Sequence, residues 1–590
     1  MPTNKSISRL TRTPLHALLA SALVLGPLCA QSALAAVVTN CLNSGAGSLR
    51  SAIAATASGG TVTFSAALPA CTITLTTASI PISATNLTIQ GPVSNSFTVN
   101  GAQNYRIFSH SGTGTLTIEH LNLQNGKYKG SGSNAKGGCV LSNGSVSVIG
   151  STIDNCMAYT DSATGKARGG AIYAKGAASL SHSTISGSRA IAFDGAYGGG
   201  VNALSLDAQY STFDSNYATF PTGKQPTDGS LWEGGAARIG SGTTSITNSI
   251  LTNNKANGAN NYNHSSAAKG GALFTAGTAY IGSSTVTDSF AGSHDNTQGG
   301  AIYATTTLSL AHSIVSNNYG AGTDGSFGGA ARANGLVVSY STLEGNSVSA
   351  GPHGFSGLFE GGALFDYKGS ALINNSTLNG NVSVGGGGAL FTIAANVTVN
   401  NSTISGNRAY GDGAIAAGIG GIQMTSTAAV LHISNSTIAF NIGSAGSNPY
   451  LGAGVRAVGT AVIQSSIIAN NSMDDAPTDL SCDCGTNAVK KISGANNLIR
   501  SVDPGAVSPP AGMIISTADP KLVPLGNHGG ETQTHALSAG SPALGVGNNL
   551  GNFNVDQRGV GFPRLNAGSV DIGAYERQPN DDEIFYSGLE

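Results

Sequence analysis

Residues 387–407 read GGALFTIAANVTVNNSTISGN. A double glycine, a short apolar alternation and a run of Asn, Ser and Thr follow one another without one charged residue. The glycines argue against a helix, where each costs about 1 kcal/mol relative to Ala. Val397 and Val399 alternate with polar residues, the period of a strand with one buried face.

The pattern recurs along the chain. GGCVLSNGSVSVIGSTIDNC opens at 137, GGAIYAKGAASLSHSTIS at 169, GGALFTAGTAYIGSSTVTDS at 270 and GGALFDYKGSALINNSTLNGN at 361. About eleven such units follow one another at intervals of roughly 26 to 36 residues, the mark of a solenoid. Three short runs per unit predict an all-β fold, a right-handed parallel β-helix with coils about 4.8 Å apart. One serine column (Ser376, Ser402, Ser436, Ser466) and, five residues on, one asparagine column (Asn381, Asn407, Asn441, Asn471) keep their place from unit to unit. Stacked hydroxyls and amides satisfy buried turn groups, so these columns are read as structure. Residues 86–126 read as the first, less regular coils. SLRSAIAATASGGTVTF (48–64) has Leu49 and Ile53 on one helical face and predicts an N-terminal cap over the open core.

The chain has 590 residues, 84 of them glycine, with net charge −2 and 9% charged residues. That gives no electrostatic reason to expect nucleic acid as a partner. Lys5, Arg9 and Arg12 precede the apolar run LHALLASALVLGPL and then ALAA, the layout of a secretory signal peptide over residues 1–36. No later segment is apolar enough to span a membrane. Six cysteines remain after Cys29, an even number that favours disulfides in an exported chain. Cys41 with Cys71 would bracket the cap, and Cys139 with Cys156 would open and close one repeat. The state of Cys482 and Cys484 stays open. The expected organisation is a signal peptide (1–36), cap and first coils (37–126), repeats (127–500), a small C-terminal module (501–577) and a tail (578–590).

SLRSAIAATASGGTVTF resembles the N-terminal cap motif of bacterial extracellular β-helix proteins. The GGA[IL] repeats are similar to those of polymorphic outer-membrane proteins and of pectin-lyase-like β-helices. ADPKLVPLGNHGGETQTHALSAGSPALGVGN, with DQRGVGFPR and DIGAYE, resembles the C-terminal region called the choice-of-anchor Q domain. The resemblance implies an exported or surface-displayed protein and carries no catalytic set. DDEIFYSGLE is similar to short acidic-aromatic sorting tails.

Two features are candidates for binding an extracellular glycan or cell-surface component. Loops at one point of each coil are expected to form a wall carrying Trp232, Tyr262, Phe355 and Phe359. The third residue after the glycine pair runs Tyr173, Arg238, Phe274, Tyr303, Arg332, Phe365 and Phe391, and alternation points it away from the core. Rings and guanidiniums at strand spacing would offer a stacking surface to a sugar polymer. Ring-on-ring packing under the loop wall is the alternative. No cofactor is implied; Asp474, Asp475, Asp479 and Asp483 cluster and leave Ca²⁺ open without the spacing of a known loop. The expected function is a secreted scaffold for adhesion or glycan contact without catalysis. The alternative is a polysaccharide lyase or glycoside hydrolase, since such folds host both.

Overall fold

The double glycine makes the corner on which each coil turns. Gly270 has φ +62°, and a Cβ on it would run into the Leu273 carbonyl oxygen. A Cβ on Gly271 would strike the Gly300 carbonyl oxygen of the next coil. Left-handed backbone and close coil-to-coil approach each demand a glycine, hence the pair.

In the computed structural model, five strands follow in this coil: Leu273–Thr275, Ala279–Gly282, Thr285–Thr287, Phe290–Ser293 and Asn296–Gln298. We number their sheets I to V. They hold 14, 16, 16, 13 and 8 strands respectively. The residues described are 36–94, 96–130, 134–221, 228–258, 266–351, 357–393, 396–410, 421–444, 453–482, 492–502, 509–566, 568–579 and 581. The result is an all-β parallel solenoid whose 14-stranded sheet I implies a rod of about 65 Å. Like stacks on like: Leu273 on Ile302, Ile281 on Leu310 and Val286 on Val315. These inward residues of sheets I to III form one continuous core.

Helix α1 (Leu49–Ala55) caps the first coil, as expected. Ser48 accepts from the Ser51 N–H at its N-terminus, and Leu49, Ala52 and Ile53 are buried. The Cys41–Cys71 disulfide ties the cap to the first strands (Cα–Cα 6.4 Å), and Cys139–Cys156 closes one repeat (5.5 Å). Cys484 lies outside the described residues. No helix among the described residues is long and apolar enough to cross a membrane.

The serine and asparagine columns are ladders. The Ser402 N–H donates to Ser436 Oγ, and the Asn407 N–H to Asn441 Oδ1. The last rung is Asp479, whose Oδ1 accepts from both nitrogens of Asn471 and whose Oδ2 accepts from Ser501. Both of its oxygens are thus engaged in ending the asparagine ladder. Asp483 lies outside the described residues, and among these no group of three His, Cys, Asp or Glu side chains comes together.

The C-terminal module doubles back over sheet III. Thr377 Oγ donates to the Gln533 carbonyl, Thr403 Oγ to Gln557 Oε1, and Thr437 Oγ accepts from the Ala574 N–H. These three threonines are buried, whereas their counterparts Thr184, Thr212 and Thr285 are half-buried. Ile467, Leu498, Leu537, Ile572 and Tyr575 form an apolar core across the contact.

His535 sits in this contact, between Ser405 Oγ (2.8 Å) and the Val523 carbonyl (2.7 Å). Burial pushes its imidazole down to about 4 from 6.5, with His528 adding a smaller push the same way. The fold therefore holds it neutral, while the unfolded chain protonates it below about pH 6.5. Stability should be full above that pH and fall between about 6.5 and 4, by about 3 kcal/mol at most. Thermal unfolding against pH should show this slope in the parent and a flatter profile in His535→Gln. Identical profiles would exclude His535 as the cause.

Candidate functional site

The loop wall expected from the sequence is an ordered fin built from sheets IV and V. Its strands are short and their inward residues small: Ala158, Ala190, Ala218 and Ala256 in sheet IV face Ala135, Ala167 and Ala196 in sheet V. Alanines permit close face-to-face packing. Trp232 stands in the same inward column of sheet V, 0% exposed and in edge contact with Phe220. Tyr262 and Phe355 lie outside the described residues. Phe359 is buried.

One outer corner of the fin, between sheets V and I, is closed. Here lies the column after the glycine pairs. It points away from the main core, as alternation requires, but sheet V covers it. Phe274 is 5%, Tyr303 9%, Phe365 1% and Phe391 3% exposed. Phe274 stacks on Tyr303 (5.3 Å) and Phe365 on Phe391 (5.7 Å). The Arg238 guanidinium lies 5.4 Å from Phe274, Arg332 lies 5.0 Å from Tyr303, and Lys136 of sheet V lies 4.9 Å from Tyr173. Tyr173, Arg238 and Arg332 are half-buried. The expectation of an open stacking surface on this column is therefore corrected: the rings are spent on one another and on the cations of the fin.

Two carboxylates enter the closed corner. Glu233 meets Arg238 (3.3 Å) and Lys269 (4.0 Å), and burial still pushes its carboxyl up. Glu360 is pushed up to about 8 by burial alone, and its Oε2 has no partner among the described residues. In sheet V they are separated by Lys269, Gln298 and Phe327. Four coils, about 19 Å at strand spacing, exceed the separation of an inverting pair.

The other outer face, on sheet IV, is open. It holds a cleft of about 660 Å³ lined by Lys127, Met157, Tyr159, Arg189, Ile191, Tyr217, Thr219, Phe220, Pro221, Lys255 and Asn257. Strand alternation sends Arg189 and Ile191 outward around inward Ala190, and Tyr217 and Thr219 around Ala218. Arg189 lies 5.5 Å and Lys255 5.6 Å from the Tyr217 ring. Among the described residues no carboxylate lines the cleft; Asp161 holds the rim residue Lys129 at 2.7 Å. Sequence reading missed this face. Its signal was faint but present, since the fourth short run of four successive units reads MAY (157), RAI (189), YAT (217) and KAN (255), a long side chain followed by Ala.

A cleft with aromatic faces and cation heads can hold sugar rings and anionic groups, and among the described residues no carboxylate joins its Lys and Tyr side chains. No family model matches the chain, and neither a curated protein nor a solved structure does.

Proposed function

We propose that the protein is an exported scaffold that holds an extracellular glycan or cell-surface component on its fin without altering it. We also propose that it is a pectin-lyase-like β-helix with repeats akin to those of polymorphic outer-membrane proteins and a choice-of-anchor Q region. The basic-apolar N-terminus supports export, and two disulfides suit an oxidising compartment. The observation that carries the scaffold reading is the open cationic-aromatic cleft on sheet IV, lined by no carboxylate among the described residues. Each contact is shallow, so affinity rests on several together.

Joint replacement of Arg189, Tyr217 and Lys255 by Ala is expected to abolish retention on a glycan panel, a loss of about 100-fold if each contact contributes about 1 kcal/mol. The side chains point to solvent, so circular dichroism and thermal midpoint should stay near those of the parent. Retention equal to the parent's would sink the proposal.

One observation favours the catalytic alternative. Asp571 and Glu576 share a hollow of about 430 Å³ in the C-terminal module, and Glu576 is pushed up to about 8, chiefly by burial. It stands second because Asp571 accepts from the Gly545 and Arg577 N–H groups and Glu576 from the Asp571 N–H. Release of sugar fragments by the parent and none by Glu576→Gln would reverse the ranking.

A further inference from the structure

We infer that the cleft on sheet IV recognises a linear polyanion carrying one anionic group in every second unit, lying along the solenoid axis. This rests on the scaffold reading above and names its ligand class.

The register supplies the spacing. One outward column of sheet IV runs Lys127, Met157, Arg189, Tyr217 and Lys255 in successive coils. Cations therefore stand two coils apart, about 10 Å, with an apolar or aromatic side chain in each gap. None of the three cations has an ion-pair partner among the described residues. In a chain with only 9% charged residues, three cations in one column of an open face form a local positive stripe that favours an anionic partner. An anionic group at Arg189 and another at Lys255 would each meet a cation, while the Tyr217 ring between them takes the face of an uncharged unit.

The period selects among polymers. A pyranose unit advances by roughly one strand spacing, roughly 5 Å, so alternate coils match alternate sugars. A polymer charged on every sugar would place its extra carboxylates against Met157 and Tyr217, where they lose water and gain no partner. A neutral polymer would leave the cations unpaired. Long lysine and arginine side chains adapt, so discrimination of about tenfold, near 1.4 kcal/mol, is the expected scale.

The experiment compares immobilised hyaluronan fragments (a carboxylate on every second sugar), polygalacturonate (on every sugar) and cello-oligosaccharide (on none), with the full chain as analyte. Hyaluronan should bind about tenfold tighter than either. Each of Lys127→Ala, Arg189→Ala and Lys255→Ala should reduce the steepness of its salt dependence by about one contact. Met157→Lys fills one gap and should shift preference towards polygalacturonate. Equal or tighter binding of polygalacturonate or cello-oligosaccharide, still abolished by joint replacement of Arg189, Tyr217 and Lys255, would overturn the inference and leave the scaffold standing. Retention of no glycan, with the fold intact, would overturn the scaffold reading as well.

Discussion

Asn407→Ala should destabilise the solenoid by about 4 kcal/mol, a large loss for one buried amide. Asn407 Oδ1 accepts from the backbone N–H of Asn381 (3.0 Å) and from its Nδ2 (2.9 Å). Asn407 Nδ2 donates to the Leu378 carbonyl (3.0 Å) and to Asn441 Oδ1 (2.8 Å). All of these side chains are fully buried. Alanine leaves two donors of Asn381 and the Leu378 carbonyl with no replacement, and each stranded group costs about 1–3 kcal/mol. The cost belongs to the ladder, because the coil on either side supplies one partner. Asn407→Ser should cost about half as much, since Ser188 holds the same rung elsewhere and its Oγ accepts from the Cys156 N–H. Denaturant midpoints of the two variants provide the check. A midpoint for Asn407→Ala equal to the parent's would mean that the ladder does not hold the coils.

Such ladders were the most legible part of the sequence, because a buried hydrogen-bond column restricts residue type in every coil. The same holds for the glycine corner, the cap helix and the two disulfides. The fin was harder to read. Lys166–Arg168 and Gly195–Tyr197 are three-residue strands with alanine as their inward residue, too short and too weakly apolar to stand out from loops. Missing sheet V had one consequence. Alternation correctly turned Phe274 and Phe365 away from the core, but alternation reports the side of a strand and not what lies over it. The open face went unseen for the matching reason: Arg189, Tyr217 and Lys255 differ in type, and only the register shows them to be one column.

The C-terminal module supplies the second large effect. Arg564→Met should cost about 3–5 kcal/mol and release the module before the coils unfold. The guanidinium is fully buried. It donates to the Gly573 carbonyl (2.9 Å), to the Ala574 carbonyl (2.9 Å) and, on the solenoid itself, to Asn401 Oδ1 (2.8 Å). Glu576 lies 3.7 Å away. Burial pushes the arginine down and the glutamate up, so for both partners desolvation outweighs attraction. The pair is thus a weak source of stability as a pair, and the hydrogen bonds to carbonyls and Asn401 matter more. Methionine keeps much of the volume but strands those acceptors between module and solenoid. Neighbouring contacts do not compensate, because Arg558 is committed to Asp556 (2.8 Å) and to the rings of Phe562 and Tyr575, each 3.9 Å away. Hydrogen exchange should therefore show residues 519–581 losing protection in Arg564→Met while the coils before residue 350 keep theirs. Uniform loss along the whole chain would instead mean that module and solenoid unfold as one unit, and unchanged protection would mean that Arg564 does not fasten them.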